Sequence, residues 1–332
     1  MTREYELSKY VVEVREGIRT MAVRGAGRIA KYAASALKDA AECFKGSDVN
    51  EFLRYMEYVG SYLRSARPTA VSLPNAVSYV MSRLRRGRPT SIEEGKEIVI
   101  SAAEEFIRYA NEAVKIISDL GAKRIENGDT IMTHCHSTVA TSLIATAHKM
   151  GRVSRVYVKE TRPALQGLIT AKILADEGLD VILIPDSGVR YYMKRVDKVV
   201  VGADTVVANG AVVNKIGTSL VALAAKEARV RFYVATETFK FSPYTLLGEL
   251  VPIEVRDPRE IVDEAWLNDN KNVRVLNPVF DVTPPEYIDA IITEKGVMPP
   301  QAALLILVEE YGAELREVGV SPSILEEEES SE

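Results

Sequence analysis

Apolar residues recur at helical spacing through the first third of the chain. The segments "EYELSKYVVEVREGI", "GRIAKYAASALKDAAECF", "DVNEFLRYMEYVGSYLRSA" and "SIEEGKEIVISAAEEFIRYANEAVKIISDLG" each keep one apolar face, which predicts helices up to about Gly121. The last opens with Ser91 and carries Glu94 three residues on, a capping-box pattern. The basic stretch "RLRRGRPT", Arg83 to Thr90, reads as a solvated loop. After "GAKRIENGD" the pattern changes. Short apolar runs ("TIMTH", "RVYVKE", "DVILIP", "KVVVGAD", "RFYVAT") now alternate with helical ones ("TVATSLIATAHKMG", "LQGLITAKILADEG", "GTSLVALAAKEAR"). Such alternation predicts a parallel sheet covered by helices on both faces. The expected organisation is α/β: a helical domain over residues 1–125, then an α/β domain over 126–332 that carries the chemistry.

Ligands of open parallel sheets bind at the carboxyl ends of the strands. Here those ends carry Cys135, Glu160 with Arg162, Asp186, Asp204, and Thr236 with Glu237. The 332 residues exceed what one core usually serves, in agreement with two domains. A net charge of -5 argues against a general nucleic-acid binder but not against an anionic substrate, which needs only local cations. Two cysteines exclude a disulfide framework and fit a reducing cytoplasm. The N-terminal stretch has no apolar signal core, and no run approaches a membrane span. Glutamine occurs only at Gln166 and Gln301, which fits a heat-adapted source. The acidic tail "ILEEEESSE" is expected to fray.

The stretch "THCHST" after the first expected strand holds two of the three histidines. Consecutive side chains on a strand point to opposite faces, so His134, Cys135 and His136 converge poorly on a metal ion. No nucleophile elbow accompanies the cysteine. Acid–base work remains. A thiol near a helix start feels the positive end of the helix dipole, which can lower its pKa from about 8.5 toward neutrality. The plain alternative is a buried, inert cysteine, and Cys43, in an alanine-rich helix, is read that way. Asp204 follows an apolar run. It either caps the next turn or is a buried carboxyl able to exchange a proton near neutral pH. Asn214 and Lys215 precede Gly217-Thr218-Ser219, a helix start whose N–H groups could meet a phosphate. In "RGAGR", Gly25 and Gly27 let the backbone approach an anion that Arg24 could hold. Arg67 and Lys240 are further cationic candidates.

The motifs "RGAGR", "RPTAVSLPNAV", "THCHST", "KETRPALQG", "VGADTVVANGAVVNKIGT" and "PPEYIDAIITEKGVMPP" resemble, in order, one superfamily. It unites methylthioribose-1-phosphate isomerases, archaeal ribose-1,5-bisphosphate isomerases and the regulatory subunits of the initiation-factor exchange complex. "RGAG", "HCHS" and "SLPNAV" are most similar to the archaeal isomerases. Gly27-Arg28 and His136-Ser137 depart from the "RGAPA" and "TxCNAG" of the methylthioribose group. Retention of both Cys135 and Asp204 departs from the regulatory subunits. The resemblance implies a Rossmann-like second domain with its site at the domain interface, and dimers assembled into a hexamer. It implies isomerisation of ribose 1,5-bisphosphate to ribulose 1,5-bisphosphate in AMP degradation, with Cys135 as base and Asp204 as acid. Arg24, Gly25, Ala26, Gly27, Arg67, Ser137, Thr138, Gln166, Asn214, Lys215 and Lys240 would hold the sugar bisphosphate. Two proton-transfer groups suffice for this reaction, so no cofactor and no metal is expected.

Overall fold

The computed structural model describes residues 5–67, 70–248 and 250–317. The acidic tail and two residues of the "RPTAVSLPNAV" motif, Pro68 and Thr69, lie outside them. The chain divides into two compact units, Met1–Ala113 and Val114–Glu332. The division falls inside a long helix, earlier than the change of pattern near residue 125.

The first unit is built from helices α1 (Lys9–Arg19), α2 (Ala26–Cys43), α3 (Val49–Arg64), α4 (Ser72–Gly87) and the first part of α5 (Ile92–Ala122). Their starts follow from side-chain caps. Ser8 Oγ accepts the Val11 N–H, so α1 begins later than its apolar pattern does. Asp48 accepts the N–H groups of Asn50 and Glu51 ahead of α3. Ser91 Oγ accepts the Glu94 N–H, while the Glu94 carboxylate reaches back to accept the Thr90 N–H at 2.7 Å. The alanine face of α2 (Ala30, Ala33, Ala40, Ala41) is fully buried. Ser72 Oγ at the start of α4 donates to the Ala26 carbonyl at 2.9 Å, which brings the "RGAG" and "SLPNAV" motifs together.

Two expectations fail here. The basic stretch is not a loop: Arg83 to Gly87 close α4, and only Arg88, in the left-handed conformation, opens the turn before Pro89. Pro74 obscured this helix, although a proline in the first turn forfeits no intrahelical hydrogen bond. Cys43 ends α2 and is exposed, not packed.

The second unit continues with β1 (Asp129–Thr133), α6 (Thr138–Lys149), β2 (Val153–Lys159), α7 (Gln166–Asp176), β3 (Val181–Ile184), α8 (Val189–Met193), β4 (Lys198–Val201), β5 (Thr205–Val206) and β6 (Val212–Lys215). It ends with α9 (Thr218–Ala228), β7 (Arg231–Ala235), α10 (Glu264–Asp269), β8 (Phe280–Thr283), β9 (Ala290–Thr293), β10 (Gly296–Met298) and α11 (Ala303–Glu317). The main sheet has the order β10-β9-β7-β4-β1-β2-β3. All its pairings are parallel except β10 on β9. All five strands read from the apolar runs lie in it. Met132, Tyr157, Val199, Val201, Phe232 and Val234 pack one side of its core against Val221, Ala225 and Leu307. β5, β6 and β8 form a separate antiparallel sheet that the sequence pattern did not reveal. Its β5–β6 turn is Asn209-Gly210, with Gly210 at φ 84°, a hairpin signal present in "VVANGAVV".

The carboxyl edge of the main sheet depends on Gly167. A Cβ there would overlap the Lys159 carbonyl oxygen at the end of β2. Gly167→Ala should therefore lower stability by about 1–3 kcal/mol, the usual cost of overpacking. A urea midpoint equal to that of the parent protein would refute this close approach.

Candidate active site

β1 and β4 are adjacent, and Cys135 and Asp204 lie just beyond their carboxyl ends. Between β1 and α6 the chain turns within four residues. Ser137 is the N-cap of α6, its Oγ accepting the Ala140 N–H at 3.3 Å. Cys135 adopts φ 66°, a left-handed conformation that costs a non-glycine residue about 1–3 kcal/mol. Hydrogen bonds hold it there. Its N–H donates to Thr161 Oγ1 at 2.9 Å, and Thr170 Oγ1 donates to its carbonyl at 3.0 Å. Thr161 in turn donates its N–H to Asp186 Oδ1 at 3.1 Å, and the next N–H, of Arg162, goes to Oδ2 at 2.7 Å. A continuous chain of bonds thus crosses the carboxyl edge from β3 through β2 to β1.

The three residues of "HCH" point to different partners. His134 is 1% exposed. Its Nε2 lies 2.8 Å from the Ile216 carbonyl, which only accepts, so Nε2 carries the hydrogen and Nδ1 faces Thr161 Oγ1 at 3.2 Å. Burial, aided by the Lys159 charge, pushes its pKa down to about 3, and the ring is neutral. His136 Nδ1 lies 3.0 Å from Thr170 Oγ1, whose own hydrogen goes to Cys135. Nδ1 of His136 is therefore the donor, and burial lowers this pKa also.

The thiol does not behave as its nearness to a helix start predicted. Burial pushes Cys135 from 9.0 up to about 11. Lys215 and the His136 N–H pull it down, while the Asp204 and Asp186 carboxylates push it up, and desolvation outweighs the favourable contacts. The resting thiol is protonated. Asp204 is half-buried, and its backbone N–H, not its carboxylate, joins the following hairpin, by a bond to the Val213 carbonyl.

The α9 start is not a free phosphate cradle. The N–H groups of Gly217 and Ser219 donate to Asp281 on β8, at 2.7 Å and 3.1 Å. A carboxylate of the chain already occupies the place an anion would take. Buried Asn214 donates to Thr218 Oγ1 at 3.1 Å, and the Lys215 ammonium sits 5.1 Å from the Phe280 ring centre. Lys240 is buried with its ammonium 2.7 Å from Glu237, so this cation comes with its own counter-ion. Gln166 begins α7, and its Oε1 is buried with no hydrogen-bond partner among the described residues. Thr138 is exposed. In the first unit Arg24 is exposed and donates from Nε to the Met21 carbonyl at 2.7 Å. Gly25 caps α2 at φ 88°, leading into Ala26 and Gly27, and Arg67 is half-buried.

Thr161, Thr170, Lys159 and Asp281 were not singled out in the sequence. Lys159 had a signal, as a lysine closing the apolar run "VYVK". It is 0% exposed, 3.7 Å from Asp186, with its pKa lowered by burial. The others are ordinary polar residues whose roles depend on contacts distant in sequence.

The profile of the initiation factor 2 subunit family matches residues 22–300. The chain belongs to this family. It is 52% identical to the ribose 1,5-bisphosphate isomerase of Thermococcus kodakarensis over 93% of this chain and 97% of that protein. The solved 5-methylthioribose 1-phosphate isomerase of Pyrococcus horikoshii OT3 aligns with a TM-score of 0.76 at 33% identity, covering 90% of this chain and 87% of that one. The translation initiation factor eIF-2B structure from the same organism gives a TM-score of 0.75 at 31% identity, covering 90% and 100%. This chain is thus similar both to named enzymes and to a named translation factor.

The shifts of His134 and Cys135 make two contributions to how stability varies with pH. Unfolded histidine gains its proton near 6.5, whereas folded His134 resists until about 3. Between these values the unfolded chain binds more protons, so this contribution to stability is lost as pH falls from 6.5 to 3. Cys135 acts at the other end. The unfolded thiol ionises near 9.0 and the folded one near 11, so stability also falls as pH rises through that interval. Each group contributes a slope of at most about 1.4 kcal/mol per pH unit. Urea unfolding across pH and NMR of the His134 ring provide the check. A ring that titrates between pH 5 and 7 would contradict its buried neutral state.

Proposed function

We propose that the chain is a ribose 1,5-bisphosphate isomerase that forms ribulose 1,5-bisphosphate by proton transfer through Cys135 and Asp204. The observation that supports this reading is the placement of half-buried Cys135 and Asp204 just beyond the carboxyl ends of the adjacent strands β1 and β4, with Asp204 and Lys215 among the charges that act on the thiol. The relatives' named activity supplies the substrate.

The reaction opens the sugar ring, removes the C2 proton and delivers one to C1. Burial disfavours the thiolate of Cys135, whereas the Lys215 ammonium favours it, and a protonated Asp204 would no longer oppose it. The thiolate then removes the C2 proton of the open chain, giving a cis-enediolate. Protonated Asp204 serves the ring or carbonyl oxygen. One phosphate is held by Arg24, the backbone of Gly25, Ala26 and Gly27, and Arg67. The other is held by Lys215 and Lys240, with Ser137, Thr138, Gln166 and Asn214 completing the contacts. The unpaired Oε1 of Gln166 suits a sugar hydroxyl donor. Two free cysteines suit a reducing cytoplasm, and the assembly is a homo-oligomer, a trimer of dimers. Among the described residues no helix is long and apolar enough to cross a membrane. The product would feed a carboxylase in AMP degradation.

Purified protein should form ribulose 1,5-bisphosphate from ribose 1,5-bisphosphate, detected with a carboxylase and labelled carbonate. Cys135→Ser and Asp204→Asn should each lose about 10²–10⁴ in turnover while still binding substrate. The double variant should be little worse than either single one. Turnover of methylthioribose 1-phosphate alone would move the chain to that group. Full activity of Cys135→Ser would remove the cysteine from the mechanism.

A further inference from the structure

We infer that Thr161 is the positioning residue for Cys135, acting with Thr170 as a two-sided clamp on the peptide groups of the cysteine. The inference rests on the proton-transfer role proposed above for Cys135.

The clamp closes on both sides of one residue. Thr161 Oγ1 accepts the Cys135 N–H at 2.9 Å, and Thr170 Oγ1 donates to the Cys135 carbonyl at 3.0 Å. The threonines are 0% and 1% exposed, so bulk water cannot replace either hydroxyl. Thr161 is itself anchored. Its N–H and that of Arg162 share the Asp186 carboxylate, and its carbonyl accepts the Leu165 N–H at 2.8 Å. The ammonium of fully buried Lys159, 3.7 Å from Asp186, offsets the charge of that carboxylate. Thr161 at φ 63° and Cys135 at φ 66° are both left-handed, a conformation that persists only where surrounding bonds determine it. The single hydroxyl hydrogen of Thr161 goes to the Lys159 carbonyl at 3.1 Å or to His134 Nδ1 at 3.2 Å. Either choice ties the cysteine turn to the end of β2.

A general base works only within hydrogen-bond reach of the proton it removes, and a displacement of about 1 Å can cost on the order of 10²-fold in rate. Valine matches threonine in shape and branching but lacks the hydroxyl. Thr161→Val should therefore lower kcat about ten- to hundredfold with KM within about twofold, and Thr161→Ser should restore most of it. A second readout does not depend on turnover. Iodoacetamide labelling of the Cys135 peptide, followed across pH by mass spectrometry, reports the thiol separately from exposed Cys43. The groups acting on that thiol are Lys215, Asp204, Asp186 and the His136 N–H, and none is altered by the substitution. With the clamp gone the turn should loosen and hydrate, moving the labelling midpoint down from about 11 toward 9.0. An unchanged midpoint in Thr161→Val would overturn the clamp, whatever happens to turnover. So would a serine variant as impaired as the valine one. Should Thr161→Val fail to fold, Thr170→Val, which removes the donor to the Cys135 carbonyl together with the acceptor of the His136 Nδ1 hydrogen, carries the same test. If Cys135→Ser turns over normally, the proposed chemistry fails, while the labelling midpoint still decides the clamp.

Discussion

Polar groups buried at the carboxyl edge of a parallel sheet must satisfy one another, because water does not reach them. That requirement organises the second unit. His134, Lys159, Thr161 and Thr170 are all nearly inaccessible: His134 bonds the Ile216 carbonyl, Lys159 pairs with Asp186, and both threonines hold the peptide groups of Cys135. Asp281 comes from the small antiparallel sheet to cap α9. The left-handed turn at Cys135 is held by this network, since nothing in the local sequence favours such a conformation for cysteine.

The same dryness sets the chemistry. A helix start lowers the pKa of an exposed thiol, but here desolvation dominates and the thiol holds its proton. Among the charges that act on it, the Asp204 and Asp186 carboxylates strengthen that hold and the Lys215 ammonium weakens it. The resting site holds its cations in balance as well: Lys159 with Asp186, Lys240 with Glu237.

Much of this architecture was legible in the sequence, for identifiable reasons. β7, β4, β1 and β2 lie inside the sheet and read as apolar runs, the strongest strand signal a parallel sheet offers, and β3 shares that signal although it is an edge strand with Leu183 exposed. The cap at Ser91 is local chemistry that a short motif encodes, whereas those at Ser8 and Asp48 emerge only in the structure. α4 was missed because Pro74 reads as a breaker when its position in the first turn is unknown. β5, β6 and β8 were missed because they are short and, unlike the equally short β3, break their apolar run with polar residues such as Asn214 and Asp281, although Asn209-Gly210 marked the turn. Within the site, Cys135 and Asp204 stood out by type and by place at strand ends. Thr161 and Asp281 did not, because a threonine hydroxyl or a carboxylate acquires meaning only from the distant backbone it meets. The phosphate reading of Gly217 to Ser219 failed for the same reason: the competing anion is contributed by a strand more than sixty residues later.

One further feature constrains how such a site can vary. A Cβ on Gly202, just past β4, would fall inside the Ser137 side chain at the start of α6. Positions 137 and 202 therefore share a single volume, though they lie on different strand ends. A larger residue at one is compatible with this backbone only if the other shrinks. Single-step substitution at 202 is sterically closed, whereas a paired exchange that first removes the serine hydroxymethyl is open. Sequence drift around the cysteine and around the aspartate is thereby coupled by space alone.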